Sequence, residues 1–326
     1  MDNFASKNGK KSDKKIVVIG GGTGVFTVVT GLKKYFNNLA AIVTMADDGG
    51  STGVLREEFG ILPPGDIRRA LIALSPADQG MLSELFNYRF QEGSGLTGHT
   101  FGNLMIAALE RITGSFEKAI EEAGRILSVQ GDVLPVTLKP TYLFAEMEDG
   151  RVIKGETNID TFKPETWTSV RRVWLDPEAE INPRAKRAIL EADCIILSPG
   201  DFYTSLIPNL LVRGMKEAVK KSPGTVIYFV NLVTKYSETS GFKASDFLNS
   251  IERYLGKNQI DYVVINKVKP NLARLKPYIK QKVGLVEVDL ENFSAKPVPV
   301  VTDLLKPTGL IRHDPEKIAT VVKMII

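Results

Sequence analysis

Ile16-Val17-Val18-Ile19-Gly20-Gly21-Gly22-Thr23-Gly24 is the stretch on which the fold turns. Four β-branched apolar residues in a row read as a strand buried on both faces. Four glycines in the next five positions let the backbone turn tightly and approach a ligand closely. Val25, Val28, Val29, Leu32 and Phe36 then follow at helical spacing, so strand, glycine turn and helix make one unit. A helix that opens on glycines offers free N–H groups to an anion, and a phosphate cradled by Gly20–Gly24 is the first expectation. The spacing is not the dinucleotide fingerprint, because the third glycine would fall on Val25 or Thr27. Nor is it a P-loop, since no Gly-Lys-Ser/Thr follows. An NAD-type oxidoreductase is disfavoured on the same ground.

Further along, Ala41–Met45 reads as a second buried strand, and Cys194–Leu197, Val226–Val230 and Tyr262–Ile265 as later ones. Helices are expected over Gly102–Leu127, Arg184–Glu191, about Leu210–Lys220, and from an N-cap at Ser245 to Leu255. Between the halves, about 130–175 is richer in strand, with a hairpin turn at Glu148-Asp149-Gly150. The expected architecture is α/β: a doubly wound, mainly parallel Rossmann-like sheet with a β-rich excursion in the middle of the chain. A flexible basic leader is expected over 1–14 and a single α/β domain over 15–326.

Composition narrows the function class. Apolar residues are 43% and charged residues 25%, with one cysteine, Cys194, inside a strand. No apolar run is long enough to span a membrane, no secretory signal is evident, and no disulfide can form within the chain. A cytoplasmic protein is expected. The net charge of +4 sits mostly in residues 1–15, where five lysines face Asp2 and Asp13. The rest of the chain balances 37 basic against 36 acidic residues, so nucleic acid is not an expected partner.

The unusual loops all fall where strands end and helices begin, which is where open α/β sheets bind ligands. Asp47-Asp48 follow the second strand. Being adjacent they point different ways, and one of them is expected to hold ribose or Mg²⁺. Asp66 is read as a helix N-cap, with Arg68 or Arg69 facing a phosphate. His99 and Asn103 flank a helix start. Ser198, Gly200, Tyr203, Thr204 and Ser205, with Asn209 soon after, form a hydroxyl-rich loop. Asn231 and Lys235 follow the next strand, the lysine suited to neutralising phosphate charge. His313 has no clustered partner, and no Cys/His grouping has zinc spacing.

In order, these stretches resemble the CofD-like family, and within it the YvcK branch. The matching residues are Gly20–Gly24, Ala46–Gly53, Pro63–Arg68, Gly98-His99-x-x-Gly102-Asn103-Leu104, Gly155–Ile159, Ser198–Ser205 and Asn231-Leu232-x-Thr234. The resemblance implies binding of UDP-sugars such as UDP-N-acetylglucosamine. It also implies a regulatory link from central carbon metabolism, or gluconeogenesis, to bacterial cell-wall synthesis and cell shape. The CofD branch implies an alternative, a Mg²⁺-dependent transfer of a phospholactyl group from a guanylylated donor. The branch carries a nucleotide-diphosphate site onto Gly20–Gly24, Asp47, Asp48, His99, Asn103 and Ser198–Ser205. Cell-wall synthesis or regulatory proteins, and further copies of the chain, are the expected partners. Ordering of a Gly49–Pro64 loop is the expected signal to them. Two places depart from the family pattern. Asp201-Phe202 stand where Ser-Leu is usual, and Lys235-Tyr236-Ser237 where Gln-Pro-Gly is common.

Overall fold

The computed structural model describes residues 10–76, 80–163, 168–294 and 296–326. Most of the expected leader, residues 1–9, lies outside them. Strands are β1 (Ser12–Gly20), β2 (Phe36–Val43), β3 (Asp132–Pro135), β4 (Tyr142–Met147), β5 (Val152–Lys154), β6 (Val170–Asp176), β7 (Cys194–Leu197), β8 (Thr225–Phe229), β9 (Tyr262–Asn266) and β10 (Val298–Thr302). The helices of the first half are α1 (Gly22–Leu32), α2 (Gly50–Phe59), α3 (Pro64–Leu74), α4 (Gly80–Asn87), α5 (Phe101–Thr113), α6 (Phe116–Ile126) and α7 (Glu156–Asp160). Those of the second half are α8 (Pro183–Leu190), α9 (Ile207–Leu211), α10 (Met215–Lys221), α11 (Ala244–Leu255), α12 (Leu272–Lys280) and α13 (Pro315–Ile325).

Seven strands form one sheet in the order β10-β9-β8-β7-β1-β2-β3, and every neighbouring pair is parallel. The Ile16–Ile19 run is at most 2% exposed, as a central strand covered on both faces requires. From β1 the chain builds outward to β2 and β3, then returns to the other side of β1 for β7 to β10. The switch point of the sheet therefore lies between β1 and β7, where the carboxyl ends leave a crevice. α1 buries Val25, Val28, Val29 and Leu32 against the sheet.

The small antiparallel sheet β5-β4-β6 is the excursion, and its hairpin turns at Glu148–Gly150 as expected. Its connection to the main sheet is specific. Both carboxylate oxygens of Asp48 accept N–H groups at the start of α7, from Glu156 at 3.1 Å and Thr157 at 2.9 Å.

Several boundaries differ from the sequence reading. β1 begins at Ser12 rather than Ile16, because Ser12 N–H donates to Tyr35 O and Asp13 accepts from Asn37. Phe36 opens β2 instead of closing the first helix. The expected helix over Gly102–Leu127 is two, broken where Gly114 takes a left-handed φ of 69° and Ser115 caps the next helix. The Leu210–Lys220 helix divides around Gly214. β3, expected within the excursion, is an edge strand of the main sheet. α11 starts two residues early, with Lys243 rather than Ser245 as its cap. The Gly49–Pro64 stretch contains α2, anchored by Arg56, which donates to Asp47 O and Thr141 O, both at 2.8 Å. Among the described residues, no helix is long and apolar enough to cross a membrane.

Candidate functional site

A cleft of about 620 Å³ opens over the carboxyl ends of β1, β2, β7 and β8. Its floor is Gly21–Gly24, the first turn of α1. Gly21 offers no side-chain cap and that turn holds no acidic residue. The Asp66 side chain faces this turn, its carboxylate oxygens beside Gly21 and Gly22. Asp66 is no N-cap. Pro63 holds that position, and Asp66, in the first turn of α3, is aimed into the cleft.

Each candidate residue takes a distinct place. Asp47, Asp66, Asn103, Gly200, Thr204, Ser205, Asn231 and Lys235 line the cleft with Gly21, Gly22, Thr23 and Gly24. Gly20, Ser198, Tyr203, Asn209, His99 and Asp48 lie behind its wall. Asn209 holds the glycine turn by donating to Gly20 O at 3.0 Å and Ser205 O at 2.9 Å. Tyr203 packs edge-on against Phe202 and Phe242, and its N–H donates to Glu238 at 2.6 Å. His99 Nδ1 contacts Ser51 Oγ at 3.0 Å, and it is Ser51 that reaches the cleft. The Oδ1 of Asn231 and the Oγ of Ser198 are buried without a hydrogen-bond partner. Asp48 and Asp47 do have the two different jobs expected of neighbours. Asp48 ties in α7, while Asp47 accepts from Gly49 N–H at 3.0 Å and faces the cleft.

Arg68 also lines the cleft, but its guanidinium is committed to Asn103 Oδ1 at 3.1 Å and Asn87 Oδ1 at 2.6 Å. Arg69, which is exposed, places its guanidinium beside Gly22, within reach of the charges of Asp47 and Asp66. The two departures from the family pattern meet. The Lys235 ammonium lies 2.9 Å from Asp201 and 3.2 Å from Glu238, and also pairs with Asp160. These three carboxylates lie within 4.8 Å of one another, so the lysine fills the position a cation would take. It joins the β7 loop, the β8 loop and α7.

Glu156 enters the cleft from the start of α7, brought there by the Asp48 tie. Nothing local in the sequence marks it for this place, because the tie that positions α7 comes from Asp48, more than 100 residues earlier. Burial, and then the charges of Asp47, Asp48, Glu238 and Asp66, push its carboxyl from 4.5 up to about 8. Asp66 is raised to about 6, again chiefly by burial and then by Asp47. Between pH 4.5 and 8 the folded chain thus holds a proton on Glu156 that the unfolded chain has released. Its contribution to stability is full below the lower value and is lost as pH rises toward the upper one. Glu156→Gln is expected to raise the melting temperature at pH 8 and to flatten the decline above pH 5. Thermal melts across that range check this, and an unchanged slope would place the proton elsewhere.

The far arm of the cleft is built from residues that single motifs did not reveal. Leu232, Val233, Val283 and Ile311 give it apolar walls, with Tyr278, Gln281 and Arg312 among them. They come from the ends of β8 and α12 and from the approach to α13. His313 is buried there, its Nε2–H donating to Val230 O at 3.1 Å. Burial drops it to about 4, so it is neutral at physiological pH. Cys194, by contrast, is buried in β7, and burial pushes its thiol up to about 12, so it stays protonated at neutral pH.

A parallel sheet with a glycine-floored cleft at its switch point defines a doubly wound α/β protein. The family described as 2-phospho-L-lactate transferase CofD matches residues 16–305, and the chain belongs to that CofD family. It is 40% identical to the gluconeogenesis factor of Bacillus subtilis (strain 168), over 94% of this chain and 96% of that protein. It is 39% identical to the gluconeogenesis factor of Halalkalibacterium halodurans, over 95% of each. A crystal structure of a Bacillus halodurans protein superposes with a TM-score of 0.90 at 38% identity, covering 96% of this chain and all of the other.

Proposed function

We propose that the chain is a regulatory protein that binds a nucleotide-sugar, a UDP-sugar in the first instance, across the switch point. The observation that carries this is the first turn of α1 lying open on the cleft floor with the Arg69 guanidinium beside it. The Thr23 and Gly24 N–H groups and the Arg69 fork suit a diphosphate. The arm of Leu232, Val233, Val283 and Ile311, with Tyr278 and Arg312, suits a base. The opposite end, around Ser51, Thr52 and Asn103, suits a sugar.

A divalent cation fits one part of the cleft. Asp48 has both oxygens engaged by α7, and the Asp160–Asp201–Glu238 group already holds Lys235. Asp47 with Asp66 offers hard oxygen donors facing the ligand. A Mg²⁺ held there would offset the charge of the diphosphate. The relatives named gluconeogenesis factor support a role in carbon metabolism, and a link from there to wall synthesis and cell shape is part of the same proposal.

The second reading is a CofD-type transferase, favoured by the family description and by Glu156, a carboxyl that keeps its proton at neutral pH in the cleft. A thermal-shift panel of UDP-N-acetylglucosamine, UDP-glucose, GDP and GTP, each with and without Mg²⁺, separates the two. Ligand at about 100 times its Kd stabilises the folded state by roughly 2.7 kcal/mol. Shifts with UDP-sugars and no turnover support the regulator. A Mg²⁺-dependent shift with guanine nucleotides alone, followed by product release from an activated donor, supports the transferase.

A further inference from the structure

The walls of the far arm come from pieces of chain far apart in sequence. Leu232 and Val233 follow β8, and they hold the segment beyond α12. Thr234 N–H donates to Gly284 O at 2.8 Å, and Val286 N–H to Leu232 O at 3.1 Å. Facing them, residues 304–314 double back on themselves, Asp314 N–H donating to Leu304 O at 2.8 Å and Lys306 N–H to Arg312 O at 2.9 Å. Leu304, Leu305 and His313 bury the root of this hairpin, while its tip, Lys306–Leu310, is exposed. Ile311 and Arg312 reach the cleft from that tip. Arg274 of α12 gathers it. Its Nε donates to Gly309 O at 2.9 Å, and its two terminal nitrogens donate to Pro307 O at 3.1 Å and Leu310 O at 3.0 Å. A guanidinium only donates and a carbonyl only accepts, so the direction of each bond is fixed. Among the described residues, these three carbonyls have no other protein donor. One turn further along α12, Tyr278 Oη accepts the Ile311 N–H at 3.0 Å.

We infer that Arg274 is the positioning residue for the base end of the cleft. It stands outside the cleft itself. By fastening the hairpin tip to α12, it fixes the spacing of Ile311 and Arg312 from Leu232, Val233 and Tyr278, and through that spacing it sets the affinity for a base. Dispersion falls off steeply, a gap of about 0.5–1 Å forfeiting a quarter to a half of each contact. A wall that must be ordered at the moment of binding also costs affinity for each side chain immobilised. A phosphate bound through charge at the α1 turn and Arg69 depends on neither effect. This rests on reading the cleft as a nucleotide-sugar site with its base in the far arm, and it names the residue that assembles that arm.

The experiment is calorimetric titration of the full chain with UDP and with inorganic pyrophosphate, paired with amide hydrogen exchange over residues 304–314. Arg274→Ala is expected to weaken UDP about tenfold while leaving pyrophosphate within about twofold. The Lys306 and Ile311 amides, which donate to Arg312 O and Tyr278 Oη, are expected to exchange about tenfold faster in the same variant. Undiminished UDP binding in Arg274→Ala overturns the inference. So does an equal loss for both ligands, which would mean that the arginine acts as a distant charge. A UDP loss with unchanged exchange overturns it too, because Arg274 would then act on the ligand directly. Each of these results leaves the nucleotide site standing. If the wild-type chain binds pyrophosphate alone, the far arm takes no base and this inference falls while the phosphate cradle stands. If it binds neither, the nucleotide-sugar reading itself falls.

Discussion

Gly24→Ala is expected to destabilise the chain by about 3 kcal/mol, the upper end of the usual cost of forcing an extra methyl into a packed interior. A Cβ on Gly24 would sit 1.5 Å from the carbonyl oxygen of Pro199 and 2.7 Å from its carbonyl carbon. Those are backbone atoms of the loop after β7, held by its neighbours on both sides, and they have no rotamer by which to withdraw. Gly22 is different. It takes a left-handed φ of 50°, but its nearest would-be contacts are the ends of the Arg69 and Asp66 side chains, at 3.3 and 3.8 Å. Gly22→Val is expected to cost about 1–2 kcal/mol of backbone strain, leaving a folded chain whose cradle is blocked. Chemical denaturation of the two variants, followed by ligand titration of whichever folds, separates the roles. A Gly24→Ala chain as stable as wild type would mean the β1 and β7 loops do not meet as described. A Gly22→Val chain with undiminished affinity would remove the phosphate from the α1 turn.

Arg69→Ala is expected to weaken a diphosphate ligand about 100-fold, the upper range for removing a charged hydrogen-bonding group from an anion. Its guanidinium stands exposed beside Gly22, free to fork onto two phosphate oxygens. Arg68→Ala is expected to act mainly on the fold, because Arg68 is buried and leaves the side chains of Asn103 and Asn87 without their donor. Paired melting curves and titrations give a crossed result if this is right: affinity lost at 69 and stability lost at 68. If Arg69→Ala binds as wild type while Arg68→Ala folds normally and loses affinity, the two arginines have been assigned the wrong way round.

How far the sequence could be read depended on how local the cause was. Ile16–Ile19 and the glycines after it state a buried strand and a close turn within nine residues, and the sheet and its crevice follow. Adjacent Asp47 and Asp48 could be told to differ because neighbours on a chain point apart. Which one faced inward depended on α7, more than 100 residues later. Asp66 followed two prolines and a glycine, a pattern that suits a cap as well as a first-turn residue, and only packing decided between them. Gly114 does not announce the break between α5 and α6, because the apolar spacing on either side continues through it. Tyr278, Ile311 and Arg312 carry no motif and reach the cleft only because β8, β9 and β10 are laid side by side. The departures at Asp201 and Lys235 were visible singly as opposite charges, and the fold pairs them.

The most direct test of a nucleotide-sugar site across the β1–β7 switch point is one calorimetric titration of the full chain with UDP-N-acetylglucosamine in the presence of Mg²⁺, repeated with Gly22→Val. Saturable binding of one ligand per chain, lost in a Gly22→Val protein that still melts cooperatively, is the predicted result. Absence of binding in the wild-type chain, or equal binding in both, contradicts it.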